Sequence, residues 1–407
     1  MTKGTILSGM RPTGRLHIGH LSVLENWARL QDEYKCYFMV ADLHSLTTKF
    51  DDTGDLPEDT RQMVLDFLSV GIDPVKSAVF VQSSVREHAE LHLYFSMNIP
   101  LSWLERCPTY KDQLVQFEKQ GKDITTYGFL GYPLLQAADI LIYLGDTVPV
   151  GEDQLPHIEL TREIARRFNF LYKTDLFPEP QALLGRFPMV PGVDGRKMSK
   201  SYGNDIAISA SSDEVRKMVN AMVTDPARIH KDDPGHPDVC IVHKYQEIYN
   251  NPLLDYVQKA CRGAERGCVA CKQEIYEVVE EMLNPIRQRR AHFETNSYDA
   301  LRGYLLQLKE ADAAGETGET VERNADPVIG KFKQFTGTRR EKNYLREIGQ
   351  DIIDDYLQGT ISMRDVLDIL DARMDLVNLI LLKGRDRAKV RAAETTAKVR
   401  EVMNLRY

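Results

Sequence analysis

At 407 residues and 46.5 kDa the chain has the length for two or three domains, each able to bury its own core. Its 43% hydrophobic and 28% charged residues suit an ordinary globular protein, and the longest late apolar run, Leu376 to Leu382, is broken by Asn378, far short of the roughly 18 residues of a membrane span. A net charge of −8 excludes the broad basic surface that indiscriminate nucleic-acid binding needs, so any RNA contact is expected to be local.

The opening residues, Met1 to Leu7, lack the charged-then-apolar layout of a targeting signal, so a cytoplasmic protein with no membrane partner is expected. Thr5 to Ser8, Lys35 to Val40, Ala78 to Gln82 and Thr147 to Val150 read as strands. Between them Leu21, Leu24 and Ala28, and then Met63, Phe67 and Val70 ending at Gly71, follow helical spacing; Ser84 with Glu87 predicts a capping box. This alternation predicts an α/β fold, a Rossmann-like parallel sheet covered on both faces, over residues 1–208, with ligands at the carboxyl ends of the strands.

From residue 209 the strand signal fades. Asp213 to Val223 and Gln273 to Phe293 read as helices, so 209–294 is expected to be an all-helical domain. Residues 295–383 look like an added helical region. It contains a flexible linker at 310–326, poor in large apolar residues, then two helical patterns, one carrying Tyr344, Ile348, Ile352 and Tyr356, the other starting near Ser362. A basic helix is expected over 384–407.

Chemistry begins where the first strand ends, at Ser8-Gly9-Met10-Arg11-Pro12-Thr13-Gly14-Arg15-Leu16-His17-Ile18-Gly19-His20. Gly9, Gly14 and Gly19 let a ligand approach the backbone, and the helix opening at Gly19 aims free N–H groups and its positive dipole at an anion. His17 and His20 add donors on one side; the plainer reading leaves them as surface donors, and metal binding lacks an evident third ligand. Far along the chain, Gly195-Arg196-Lys197-Met198-Ser199-Lys200-Ser201 is a polar, glycine-led loop with two lysines and two hydroxyls, which alone would read as a solvated turn. In this order and spacing, His-Ile-Gly-His and Lys-Met-Ser-Lys-Ser resemble the two signature motifs of class I aminoacyl-tRNA synthetases.

The stretch between them narrows the resemblance. Tyr132-Pro133-Leu134-Leu135-Gln136-Ala137-Ala138-Asp139-Ile140-Leu141, Val148-Pro149-Val150-Gly151-Glu152-Asp153-Gln154 and His157-Ile158-Glu159-Leu160-Thr161-Arg162 are similar to the tryptophanyl-tRNA synthetases. The likeness runs from residue 5 to about 293 and resumes from about Gly384. The residues themselves agree: with Pro133 at the first helical position, Tyr132, Gln136 and Asp139 share one helix face, and a partly buried Asp139 carboxylate suits a donor-only indole N–H. The plainer reading of Asp139 is a cap on a neighbouring loop.

The resemblance implies ATP-dependent activation of L-tryptophan followed by transfer to tRNA(Trp), with Mg²⁺, in a homodimer. It implies that His17, His20, Lys197 and Lys200 are catalytic. ATP would meet Arg11, Pro12, Thr13, Gly19, His20, Gly151, Glu152, Asp153 and Val190, together with Lys197, Met198, Ser199, Lys200 and Ser201. Tryptophan would meet Asp139 through its indole nitrogen and Tyr132, Gln136 and Gln154 through its ammonium and carboxylate, with His44, Val148 and Val150 around the ring. Lys111 could supply a further mobile cation. Two positions depart from the family: Arg11 stands where many relatives have glutamine, and Gln136 where many have methionine. The alternatives are a tyrosyl-tRNA synthetase, a catalytically silent relative that binds RNA, and a small-molecule nucleotidyltransferase of similar fold.

Cys36 and Cys107 stand apart as buried thiols, but Cys240, Cys261, Cys268 and Cys271 cluster as C-x20-C-x6-C-x2-C and read as a metal site in a reducing compartment rather than a disulfide frame. Structural zinc usually takes two short knuckles, and here only Cys268 and Cys271 form one; a four-iron iron-sulfur cluster (4Fe-4S) accepts the looser arrangement. Four unrelated thiols is the plainer reading, and Zn²⁺ stays open as the other metal. The pattern also resembles that of a bacterial subset of the family, where it holds such a cluster in the helical anticodon-binding domain.

Overall fold

The computed structural model describes residues 2–119, 121–185, 190–230, 232–249, 251–295 and 376–405. In chain order these form β1 (Thr5–Met10), α1 (Leu21–Leu30), β2 (Lys35–Val40), α2 (Asp42–Leu46), α3 (Leu56–Val70), β3 (Ala78–Val81), α4 (Glu87–Ser96), α5 (Leu101–Glu105), α6 (Pro108–Lys119) and α7 (Tyr127–Leu130). Then come α8 (Tyr132–Ile142), β4 (Thr147–Val150), α9 (Leu155–Tyr172), β5 (Gln181–Leu184), α10 (Ser212–Ala221), α11 (Ile241–Tyr249), α12 (Leu254–Arg262), α13 (Cys268–Thr295) and a last helix, here α14 (Leu376–Val402).

The five strands make one parallel sheet in the order β3-β2-β1-β4-β5, so the α/β, parallel-sheet fold class stands, with a helical region after it. Alternation along β2 shows why both faces are covered. Cys36, Phe38 and Val40 enter one apolar cluster with Trp27 and Phe67, while Tyr37 and Met39 enter another with Phe80, Phe95, Tyr143 and Phe168. A strand buried on both sides must be apolar throughout, and β2 from Cys36 onward is. The first cluster runs without a break into the helical region, where Val215, Val219, Tyr245, Ile275, Val279 and Leu283 belong to it.

Two expectations need correction. No capping box forms at Ser84: its Oγ donates to the Val81 carbonyl, and α4 starts at Glu87 with Arg86 before it. The box occurs instead at α10, where Ser211 Oγ accepts from the Glu214 N–H at 3.3 Å and Glu214 Oε2 accepts from the Ser211 N–H at 2.7 Å. The terminal helix is already formed at Leu376, eight residues before Gly384, and Val377 and Ile380, buried in the core, extend its packed face. The linker at 310–326 and the two helical patterns near Tyr344 and Ser362 lie outside the described residues.

Helix α14 lies against the edge strand β3 and against α4, covering strand groups that would otherwise face solvent unpaired. Ala388, Ala392, Thr395, Thr396 and Val399 are buried at helical spacing, a seam of mostly small residues that allows close approach. Gly384 extends it. A Cβ there would stand 1.8 Å from the Val79 carbonyl oxygen, so no larger residue fits without moving the helix. Gly384→Val should therefore lower the thermal midpoint clearly, with a loss of about 3 kcal/mol or more from overpacking; calorimetry of the full chain is the measurement.

Candidate active site

The strand order reverses at β1, whose neighbours β2 and β4 lead to opposite halves of the sheet, and a crevice opens at the carboxyl ends of β1 and β4. Its volume is about 530 Å³. The wall includes Gly9, Arg11, Thr13 and His20 from the first loop, His44 from α2, Tyr132, Gln136 and Asp139 from α8, and Val148, Val150, Gly151 and Gln154 from β4 and the turn after it. A Cβ on Gly9 would come within 2.8 Å of the Met39 carbonyl oxygen, so glycine is what lets β1 lie this close to β2.

One end of the crevice is built from the two motif loops. Their backbones pair directly: the Ile18 N–H donates to the Ile206 carbonyl at 2.9 Å, and the Ile208 N–H to the Leu16 carbonyl at 2.8 Å. The lysine loop is held by Asn204, whose Oδ1 accepts from the Ser199 N–H (2.8 Å) and whose Nδ2 donates to Asp194 Oδ1 (2.7 Å) and the Lys197 carbonyl (3.2 Å). Lys200 Nζ crosses to the first loop and donates to the Thr13 carbonyl. Burial lowers its pKa from the usual lysine range, against the pull of Asp59, Asp205 and Asp66.

The rings of His17 and His20 lie 3.9 Å apart between their centres. Burial and then the charges of Lys200 and Lys197 push His17 down to about 4; burial, His17 and Lys200 push His20 down to about 3. Both are neutral at pH 7. His20 Nδ1 accepts from the His17 N–H at 3.4 Å, so the proton of the neutral ring sits on Nε2, ready to donate. A side chain on Gly19 would meet His17 Nδ1 at 2.9 Å, so the glycine keeps the first ring in place.

The other end is built around Asp139, buried completely rather than partly as the sequence led us to expect. Its Oδ1 accepts from Gln82 Nε2 and His88 Nδ1, both at 2.7 Å, and its Oδ2 from His44 Nε2 at 2.8 Å. His44 thus serves as a hydrogen-bond partner as well as a wall. Burial alone would raise the carboxyl's pKa, but the bonds and charges of His44 and His88 outweigh it and hold it well below the usual carboxylate range. Behind, His88 Nε2 meets the Tyr143 hydroxyl at 2.7 Å. At the flank, Thr109 Oγ1 links the Tyr132 hydroxyl (2.9 Å) to His157 Nε2 (2.7 Å), and burial drives His157 down to about 4.

The remaining predicted site residues stand behind or beside this wall. Pro12 lines a small neighbouring pocket, and His17 and Gly19 lie behind His20. Glu152 and Asp153 form the exposed turn beyond Gly151, where a Cβ would strike Asp153 Oδ1 at 2.7 Å. Val190 and Met198 are buried under the lysine loop, Lys197 is exposed on it, and the side chain of Ser201 lies outside the described residues. Lys111 is exposed on α6, two residues before Gln113, which does line the crevice.

Sequence reasoning missed Gln113, Phe129 and His157 in the wall, and Gln82 and His88 behind Asp139. For the last two the available signal was a glutamine ending a strand and a histidine on an otherwise apolar helix face. The four cysteines line one small pocket together with Arg228, His243 and Gln246. All four are free thiols of intermediate burial, and among the described residues no three ligand side chains converge on one point.

A sheet with its crevice at the reversal of strand order and these two loops across one end defines a class: residues 2–284 match the family model described as tRNA synthetases class I (W and Y). The tryptophan–tRNA ligase of Thermotoga maritima is 55% identical over 323 residues, 78% of this chain and 98% of that one. That of Aquifex aeolicus is 44% identical over 359 residues, 71% of this chain and 91% of that one. Among solved structures, the tryptophanyl-tRNA synthetase of Campylobacter jejuni complexed with ADP and tryptophan superposes with a TM-score of 0.69 at 25% identity, over 98% of this chain and 99% of that one. The chain belongs to the tryptophanyl-tRNA synthetases.

The low histidine values carry a pH dependence. Above about pH 6.5 both rings are neutral folded or unfolded; as pH falls below that, the unfolded chain takes up protons first, and stability drops until the folded rings titrate. His20→Asn removes one such site. Between pH 7 and 5 the wild type should lose about 1 kcal/mol more than the variant, half the unscreened maximum because the ring keeps some water contact. Urea unfolding at the two pH values measures it.

Proposed function

We propose that the crevice joins L-tryptophan to ATP, forming tryptophanyl-adenylate and pyrophosphate, and that the acyl group then passes to the terminal adenosine of tRNA(Trp), releasing AMP. The observation that carries this reading is the Asp139 carboxylate. It has about four acceptor positions, three are taken by Gln82, His88 and His44, and the carboxylate faces the crevice with one left on Oδ2. An indole N–H, a donor only, fills it. A phenylalanine ring would leave it unpaired, and a site of this kind rejects such an analogue by roughly 10⁴ to 10⁵.

The tryptophan carboxylate is ionised at neutral pH and attacks the α-phosphorus itself, so no base is required. Position and charge carry the rate. Tyr132, Gln136 and Gln154 hold the amino acid's ammonium and carboxylate, while Val148 and Val150 flank the ring. Neutral His17 and His20 donate to the α-phosphoryl oxygens without adding charge. Lys197 and Lys200 balance the negative charge that builds on the departing pyrophosphate, and ATP enters as its Mg²⁺ complex. Arg11 and Thr13 meet the phosphates, and Gly151 and Asp153 the ribose. Asp139→Ala should lower kcat/KM for tryptophan by about 2 to 4 kcal/mol and collapse discrimination against phenylalanine and tyrosine in ATP–pyrophosphate exchange. An unchanged preference for tryptophan would remove Asp139 from the pocket and this reading with it.

The same reading takes the protein as a cytoplasmic homodimer, with residues 1–208 catalytic, 209–294 helical and anticodon-binding, 295–383 an added region and 384–407 the basic helical end. Leu93 on α4 and Met97 just past its end, both exposed, supply apolar surface for a second copy.

The four cysteines we assign to a 4Fe-4S cluster rather than to zinc. Zinc needs all four sulfurs about 2.3 Å from one centre, whereas a four-iron cluster binds one cysteine at each corner and keeps them apart. The four cysteines share one small pocket, and their C-x20-C-x6-C-x2-C spacing, with a single short knuckle, suits the second. Arg266 Nε donates to Cys271 Sγ at 2.9 Å and Arg228 lies beside Cys261, so cations are in place for an anionic cluster. When bound, the cluster would cross-link α11, α12 and α13 and thereby shape the RNA-facing domain. Anaerobically purified protein should be brown and contain iron and sulfide, and serine at any of the four positions should bleach it. Stoichiometric zinc without iron would leave Zn²⁺ as the metal.

A further inference from the structure

Asp66, in the middle of α3, is a second carboxylate with no exposed surface. Its Oδ2 accepts from the backbone N–H of Leu16 at 2.6 Å, and its Oδ1 from Arg290 Nη1 at 2.5 Å. Leu16 immediately precedes His17. Arg290 comes from α13, 224 residues further along the chain, and its side chain is only 7% exposed. The same guanidinium donates to the Gln62 carbonyl (3.4 Å) and side chain and to Glu294 Oε1 (3.0 Å), while Arg289 Nε donates to the Ser69 carbonyl. Two neighbouring arginines of the helical region thus grip α3, and α3 grips the loop that carries the histidines.

We propose that Arg290 and Asp66 are positioning residues for adenylation: their ion pair holds the Leu16 N–H, so the seating of α13 on α3 sets where His17 and His20 stand. The loop has two anchors. On one side the backbone of residues 16–18 pairs with residues 206–208; on the other, the Leu16 N–H is held by Asp66. The first anchor moves with the lysine loop, the second with the helical region. A charged acceptor makes the second bond strong, and the carboxylate stays charged in the core because Arg290 stands against it.

The electrostatics fit. Burial pushes the Asp66 carboxyl up to about 6, against the opposing pull of Arg290, the Leu16 N–H and the more distant Lys200. Arg290 from α13 and Lys200 from the lysine loop are the charges acting on it, with Gln62 beside the pair on α3 and Glu294 behind Arg290. Without Arg290 the lone buried carboxylate takes up a proton near neutrality and becomes a weaker acceptor, and the Leu16 N–H loosens. A shift of a fraction of an ångström in the two imidazoles is enough to slow a reaction that depends on placement.

The inference rests on His17 and His20 meeting the phosphates, and His20→Ala tests that separately: full adenylation in this variant would sink the phosphate reading whatever Arg290 does. The pair itself is tested by tryptophan-dependent ATP–pyrophosphate exchange in the full chain, from pH 5.5 to 8.5, in wild type, Arg290→Met, Arg290→Lys and Asp66→Asn. Arg290→Met should lower kcat about tenfold at pH 7 with KM for tryptophan within about twofold. Its acid limb should move up by about one pH unit, with activity regained toward pH 8.5. Arg290→Lys should recover most of the loss. Asp66→Asn, which leaves no carboxyl there to titrate, should lower kcat at every pH. Variants that melt earlier but keep the wild-type kcat and acid limb per folded molecule would overturn the proposal. Should Arg290→Met fail to fold, Arg290→Lys and Asp66→Asn decide the matter by the same readouts.

Discussion

The site exists because the strand order reverses at β1. Connections from β1 to β2 and β3 run one way across the sheet, those to β4 and β5 the other, and a crevice opens between them at the carboxyl ends of the strands. Several walls of the crevice are delivered to that gap: the first loop from β1, the turn at Gly151 from β4, and α8, which runs into β4. The other elements act by keeping the gap open and its walls still. The two apolar clusters, one on each face, clamp the sheet, and α14 covers its β3 edge.

The crevice is polar in a graded way. At the Asp139 end sits a carboxylate kept ionised without solvent by three side-chain donors; at the other, two imidazoles kept neutral by burial and by nearby lysines. Each state suits its partner. An ionised Asp139 accepts only, matching a group that donates only. Neutral histidines can donate without carrying a charge, and the nearby positive charge is that of Lys197 and Lys200. These are opposite solutions to the same problem of desolvation, and what separates them is whether donors or cations surround the group.

The parallel sheet was legible because its strands are short apolar runs separated by helical spacing, and β2 and β4 were read with their observed bounds. β5 was not, since Gln181 to Leu184 is a partly exposed edge strand without alternation to mark it. The two loops and the α8 face were legible as motifs because glycine, histidine and lysine at fixed spacing have few structural uses. The residues behind Asp139 were not. Gln82 and His88 matter through a three-dimensional meeting with a residue more than fifty positions away, and a buried histidine on a helix looks the same in sequence whether it packs or donates. The Ser84 box failed for a related reason: the right residues were present, but Ser84 ends a tight turn over Gln82–Ser84 and the helix starts only at Glu87, with Arg86 before it.

The distribution of positive charge bears on the RNA partner. With a net charge of −8 the chain has no general attraction to a polyanion, and the basic terminal helix spends part of its charge on the protein itself. Arg387 donates to the carbonyls of Pro74 and Ser77, Arg391 pairs with Glu394, and Arg400 pairs with Glu90. Arg387 fastens α14 beside the edge strand and Arg400 fastens it to α4, so the helix reads first as a structural strap. A local rather than a general charge attraction is left for any RNA contact. Helix α13 carries Cys268 and Cys271 at its start and Arg289 and Arg290 near its end, so one continuous helix spans the cysteine pocket and the grip on α3.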